Sequence, residues 1–196
     1  MFETVLAGVL LGALSSIPAT GPASVLVVSR AFAGRSAEGV RLGIGAGLAE
    51  GFYAGMAFVG VGTVLTATPE FVPISRAIAT LILGGVAVVL LRTQLPESEA
   101  SRIEPPGRSF LLGLVVSGLN PALLLAWSMI VGMLASSGYL TLTYDLAGWF
   151  GLSVAAGVAG WFYVASRLID AMRVRATPEA SRKVQRAMAG FVVVLA

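Results

Sequence analysis

The chain has 196 residues, of which 57% are hydrophobic and only 12% charged, with a mean hydropathy of +0.89. A soluble domain carries about 25% charged residues, so this composition excludes a water-soluble globular fold and makes the bilayer the solvent. Cys and His are both absent, which excludes disulfides, thiol redox centres, zinc or haem held by Cys or His, and nucleophiles activated by His; a net charge of only +3, scattered over loops, argues against a nucleic-acid partner.

A spanning helix needs about 20 mostly apolar residues. The first candidate runs over residues 4–28. No Lys or Arg precedes Arg30, so it lacks the basic region of a signal peptide and reads as a retained transmembrane segment. Pro18 and Pro22 interrupt it. Proline removes a backbone donor and clashes with the carbonyl four residues back, so the segment is expected to break there. Pro22 suits the first position of a new half-helix, with Thr20 or Gly21 as its N-cap.

The second segment spans residues 40–65. Gly39, Gly43, Gly47, Gly51 and Gly55 recur every fourth residue along it, a row that lets another helix approach closely. Glu50 sits near its middle, about 60° off the row at roughly 100° per residue. A carboxylate at that depth costs about 2.5 kcal/mol or more, and such residues face a cavity or a partner. Its desolvation makes Glu50 a candidate proton carrier, and its charge makes it a candidate partner for a substrate ammonium. The plainer alternative is a structural carboxylate bonded to a hydroxyl on a neighbouring helix. Tyr53, Trp127, Trp161 and Tyr163 are aromatics that could line a cavity or simply pack.

A third segment, 74–91, leads to a polar, Pro-rich stretch over 93–108 that reads as a cytosolic linker. The fourth segment, 110–135, is interrupted at Asn120-Pro121. A fifth spans 146–166; Arg167 and Asp170 at its end read as an interfacial ion pair. A sixth, 184–196, is too short to cross fully and is expected to be truncated. All thirteen basic residues except Arg76 flank the first, third and fifth connections. The positive-inside rule makes that side cytoplasmic, with six crossings and both termini outside.

The halves resemble each other. "GLAEGFYAGMAF" from Gly47 aligns with "GVAGWFYVASRL" from Gly157, and the Pro-broken first helix of one half answers the Pro-broken first helix of the other. Three crossings per repeat force the second copy to insert upside down, the inverted-repeat plan of many secondary transporters. The expected organisation is an all-α integral membrane protein of six transmembrane helices. Residues 1–92 form a first three-helix repeat, 93–108 the linker and 109–196 a second repeat, with helices 1 and 4 broken at Pro. Half-helix N-termini carry partial positive charge and free N–H groups, so a carboxylate is their natural ligand.

The order of these features resembles the LysE/RhtB family of bacterial amino-acid exporters. The resemblance rests on Gly21-Pro22 followed by "SVLVV" and a basic, Gly-containing loop, a Gly-rich second helix with Glu50 at its centre, and Asn120-Pro121 after a Gly-containing apolar lead. It implies two inverted three-helix repeats, often paired as a homodimer in the inner membrane, and proton-driven export of amino acids or related small solutes rather than enzymatic catalysis. No cofactor and no metal are implied. Carried over by position, Gly21, Pro22, Asn120 and Pro121 match the helix breaks, and Glu50 the acidic site, where Asp is commoner. The chain departs from the family where its Pro-Gly-Pro reads Thr20-Gly21-Pro22 and where Ala122 replaces a basic or polar residue. The expected substrate-binding set is Thr20, Gly21, Pro22, Glu50, Tyr53, Asn120 and Pro121, with Glu50 also the proton-coupling candidate. Rival expectations are a metal-ion exporter of the same superfamily and a non-transporting membrane scaffold.

Overall fold

A computed structural model of the chain describes residues 1–17, 21–60, 105–120, 122–136 and 143–175. Within them lie six α-helices and no strand: α1 Phe2–Ser16, α2 Pro22–Phe32, α3 Ser36–Phe58, α4 Pro106–Gly118, α5 Ala122–Ser136 and α6 Tyr144–Arg175. Over these residues the class is all-α, as expected.

Local chemistry sets the boundaries. Pro22 and Pro106 each open a helix, where a missing N–H costs nothing and the ring presets φ. Gly34 closes α2 with a φ of 78°, the left-handed conformation that glycine adopts without strain. The Arg35 N–H then reaches back to the Arg30 carbonyl at 2.8 Å, and the chain turns directly into α3.

Among the described residues, only Tyr144–Met172 is by itself long and apolar enough to cross a membrane, while α4 and α5 qualify as a pair bent by 68°. The first expected segment is divided between α1, of 15 residues, and α2, of 11, each short of a span. Helix α3 has 23 residues, but Arg41, Glu50 and its glycines dilute its hydropathy. The expected segments 74–91 and 184–196, with Pro18, Arg76 and most of the linker, lie outside the described residues.

Glycines dictate the packing. A Cβ on Gly39, Gly43, Gly47, Gly51 or Gly55 would meet Ser166, Phe162, Ala155, Ala155 or Ala147 of α6 within 3.4 Å. The row is therefore the seam between α3 and α6, and the falling α6 numbers make the two helices antiparallel. A second seam joins α3 to α4, where Cβ atoms on Gly45 and Gly113 would run into the backbones of Phe110 and Leu42. A third joins α1 to α6 through Gly8, Gly12 and Gly157. In both of these the partners are parallel. Helix α2 packs on α3 and α6 together.

This arrangement gathers Arg30, Arg35, Arg41, Arg108 and Arg167 at one end of the bundle. There Glu38, only 4% exposed, pairs with Arg35 and lies 3.8 Å from Arg30 Nε. At the opposite end Phe150 stacks on Phe58 at 5.0 Å and meets the edge of Trp127 at 6.2 Å. All three rings are buried, so Trp127 is a core residue.

Candidate functional site

Helix α3 orients its acidic residue through the two seams. At about 100° per residue, Gly47 on the α6 seam and Ala49 on the α4 side lie about 160° apart. Glu50 falls on the arc between them. Ile44, Leu48 and Phe52, each more than 40% exposed, fall on the opposite arc. Glu50 therefore points into the bundle, away from the exposed face. Its side chain is nonetheless partly accessible, and among the described residues it has no hydrogen-bond or ion-pair partner. The structural alternative, a carboxylate satisfied by a neighbouring hydroxyl, finds no such hydroxyl among those residues.

The helix ends converge on this level. Gly118, the last residue of α4, packs beside Ala49, one residue from Glu50. Val27 of α2 lies against Gly39, and α2 runs antiparallel to α3. At about 1.5 Å per residue, its N-terminal Gly21 then lies level with about residue 45 of α3. The C-terminus of α4 and the N-termini of α2 and α5 thus lie at the level of the middle of α3.

The two N-termini differ. In α5 the Ala122 N–H donates to Asn120 Oδ1 at 3.1 Å, so the Asn120 side chain caps that helix start. In α2 the N-cap is Gly21, in extended conformation, and no side chain caps the turn. Thr20 and Pro121 lie outside the described residues. The Tyr53 hydroxyl donates to the Gly118 carbonyl at 2.5 Å, tying α3 to the end of α4. Trp161 is partly buried against the core, and Tyr163 is exposed beneath the Arg167 guanidinium at 5.2 Å.

Two features escaped the sequence. The Gly118 carbonyl gives no side-chain signal, although its position three residues before Pro121 points to it. The Arg30–Glu38–Arg35 cluster was visible only as orientation charges; the Arg35–Glu38 spacing of three residues is its trace. Among the described residues no group of three or more His, Cys, Asp or Glu could hold a metal ion.

A family model described as LysE type translocator matches residues 14–196. No curated protein and no solved structure matches the chain.

Proposed function

The chain belongs to the LysE type translocator family, a family of membrane-embedded transporters of small solutes, and on that premise we propose that it exports amino acids or related solutes in exchange for protons. The observation that carries the proposal is Glu50: a carboxylate in the middle of a packed helix, turned into the bundle, partly accessible and without a partner among the described residues. Such a group is costly in a membrane unless it serves a polar ligand or a proton.

In this reading the uncapped N-terminus of α2 at Gly21-Pro22 receives the substrate carboxylate. Glu50 receives the ammonium or exchanges the proton. The Asn120-Pro121 break supplies the opposing half-helix, with its first free N–H already held by Asn120. The membrane is the bacterial inner membrane, the Arg-rich end faces the cytoplasm, both termini lie outside, and a second copy of the chain pairs with the first. The inverted repeat is supported by the packing. A Cβ on Gly47 would meet both Ala155 and Ala159 of α6, so Gly47 lies level with the aligned Gly157, which itself faces α1. The first helix of each half also lies parallel on the second helix of the other.

The test is export in proteoliposomes with an imposed pH gradient and a mixture of radiolabelled amino acids. Gradient-driven flux is expected in the native protein, retained in part by Glu50→Asp and lost in Glu50→Gln. Undiminished gradient-driven flux in Glu50→Gln removes the coupling role.

A further inference from the structure

In an uninterrupted helix the Gly118 carbonyl would accept from the Ala122 N–H four residues on. Here that N–H is spent on Asn120 Oδ1 at 3.1 Å, so the break between α4 and α5 strips Gly118 of its intrahelical donor. A bare carbonyl at membrane depth must find another partner, and the Tyr53 hydroxyl supplies it at 2.5 Å. The same carbonyl stands at the C-terminal end of α4, the negative end of its dipole. Tyr53 and Glu50 lie three residues apart on α3, neighbours on one face. Glu50 has no described partner, and Gly118 packs beside the adjoining Ala49. Two acceptors, one a carboxylate and one a carbonyl at a helix end, therefore lie on one level, with the neutral Tyr53 hydroxyl between the helices that carry them.

We infer that the Glu50 carboxylate and the Gly118 carbonyl form a receptor for a protonated amine, and that the Tyr53 hydroxyl holds the amine's place on the carbonyl while the protein is empty. An ammonium is a charge-assisted donor, roughly twice as strong as a neutral hydroxyl, and so can displace the phenol. Both acceptors require N–H hydrogens. The receptor thus reads an amine that carries them and rejects a quaternary ammonium of equal charge. This rests on the proposed function in taking Glu50 to face solute, and it deepens that reading by naming the group recognised.

The experiment uses the full chain in nanodiscs with methylammonium chloride as probe and tetramethylammonium chloride at equal ionic strength as control. Methylammonium is expected to raise the thermal midpoint and tetramethylammonium to leave it unchanged; an equal rise with both overturns the inference. Tyr53→Phe removes the competing donor, so its affinity for methylammonium is expected to rise about two- to tenfold. Unchanged or weaker affinity overturns the inference, as does an undiminished response in Glu50→Gln. Should Tyr53→Phe fail to fold, a protein whose Tyr139, Tyr144 and Tyr163 are replaced by Phe decides the matter by Raman spectroscopy. Methylammonium is expected to change the hydrogen-bonding state of the remaining Tyr53 hydroxyl, and no change overturns the inference. Amino-acid flux is not read here, so failure of the exporter reading and failure of this receptor remain distinguishable.

Discussion

Asn120 and Gly21 hold equivalent places at two helix starts and leave them in different states. Asn120 satisfies the Ala122 N–H with its own side chain, whereas Gly21 has none to offer. Asn120→Ala is expected to cost about 1 kcal/mol, seen as a lower thermal midpoint in detergent, while Asn120→Asp, which keeps the acceptor, stays close to the native value. Asn-Pro made this cap legible in the sequence. Glu38 was not legible in the same way. An Arg and a Glu three apart at a helix start read as a solvated surface pair, and only the packing of α2 and α6 around Gly39 encloses them. Because Glu38 is buried between Arg30 and Arg35, Glu38→Gln leaves two enclosed cations without their shared carboxylate. Its expected cost is about 3 kcal/mol. Glu50→Gln is expected to leave the midpoint unchanged or raised, since no described partner depends on that carboxylate. Chemical unfolding of the two variants side by side separates a carboxylate that holds the fold from one that does not.

At the scale of the helix, glycine decides which neighbours meet. The four-residue row of α3 was plain in the sequence, but its partner was not. A flat stripe admits any helix, and the choice of α6 depends on residues far along the chain, from Ala147 to Ser166. The α3–α4 seam was less visible still, because it rests on single glycines, Gly45 and Gly113, with no periodicity to mark them. A methyl group at either would strike the facing backbone well inside van der Waals contact, and a backbone cannot swing aside as a side chain can. Gly45→Ala and Gly113→Ala are each expected to destabilise by about 1–3 kcal/mol. Gly160 lies in the interior of α6 with nothing among the described residues within 4 Å of a Cβ. Gly160→Ala is therefore expected to hold stability or raise it by up to about 1 kcal/mol. Thermal midpoints of the three variants check the contrast, and an equal loss at Gly160 would mean that helix propensity rather than seam contact governs all three.

For the whole molecule, the glycine seams fix where the charges go. Antiparallel packing of α3 on α6 and parallel packing of α4 on α3 bring the basic residues of three separate connections to one end. The buried Phe58, Trp127 and Phe150 close the other. Charge counting along the chain anticipated the segregation, but it could not show that the Arg-rich end is also an ion-paired cluster that joins α2 to α3. If the positive-inside rule governs insertion, that end is cytoplasmic. The absence of native Cys makes the orientation directly measurable with single introduced cysteines. Ala37 is exposed at the Arg-rich end and Asp145 at the opposite end. In intact cells a membrane-impermeant maleimide is expected to label Asp145→Cys and to reach Ala37→Cys only after permeabilisation. The reverse pattern would invert the molecule in the membrane. The proposed direction of export would then have to be argued from something other than charge.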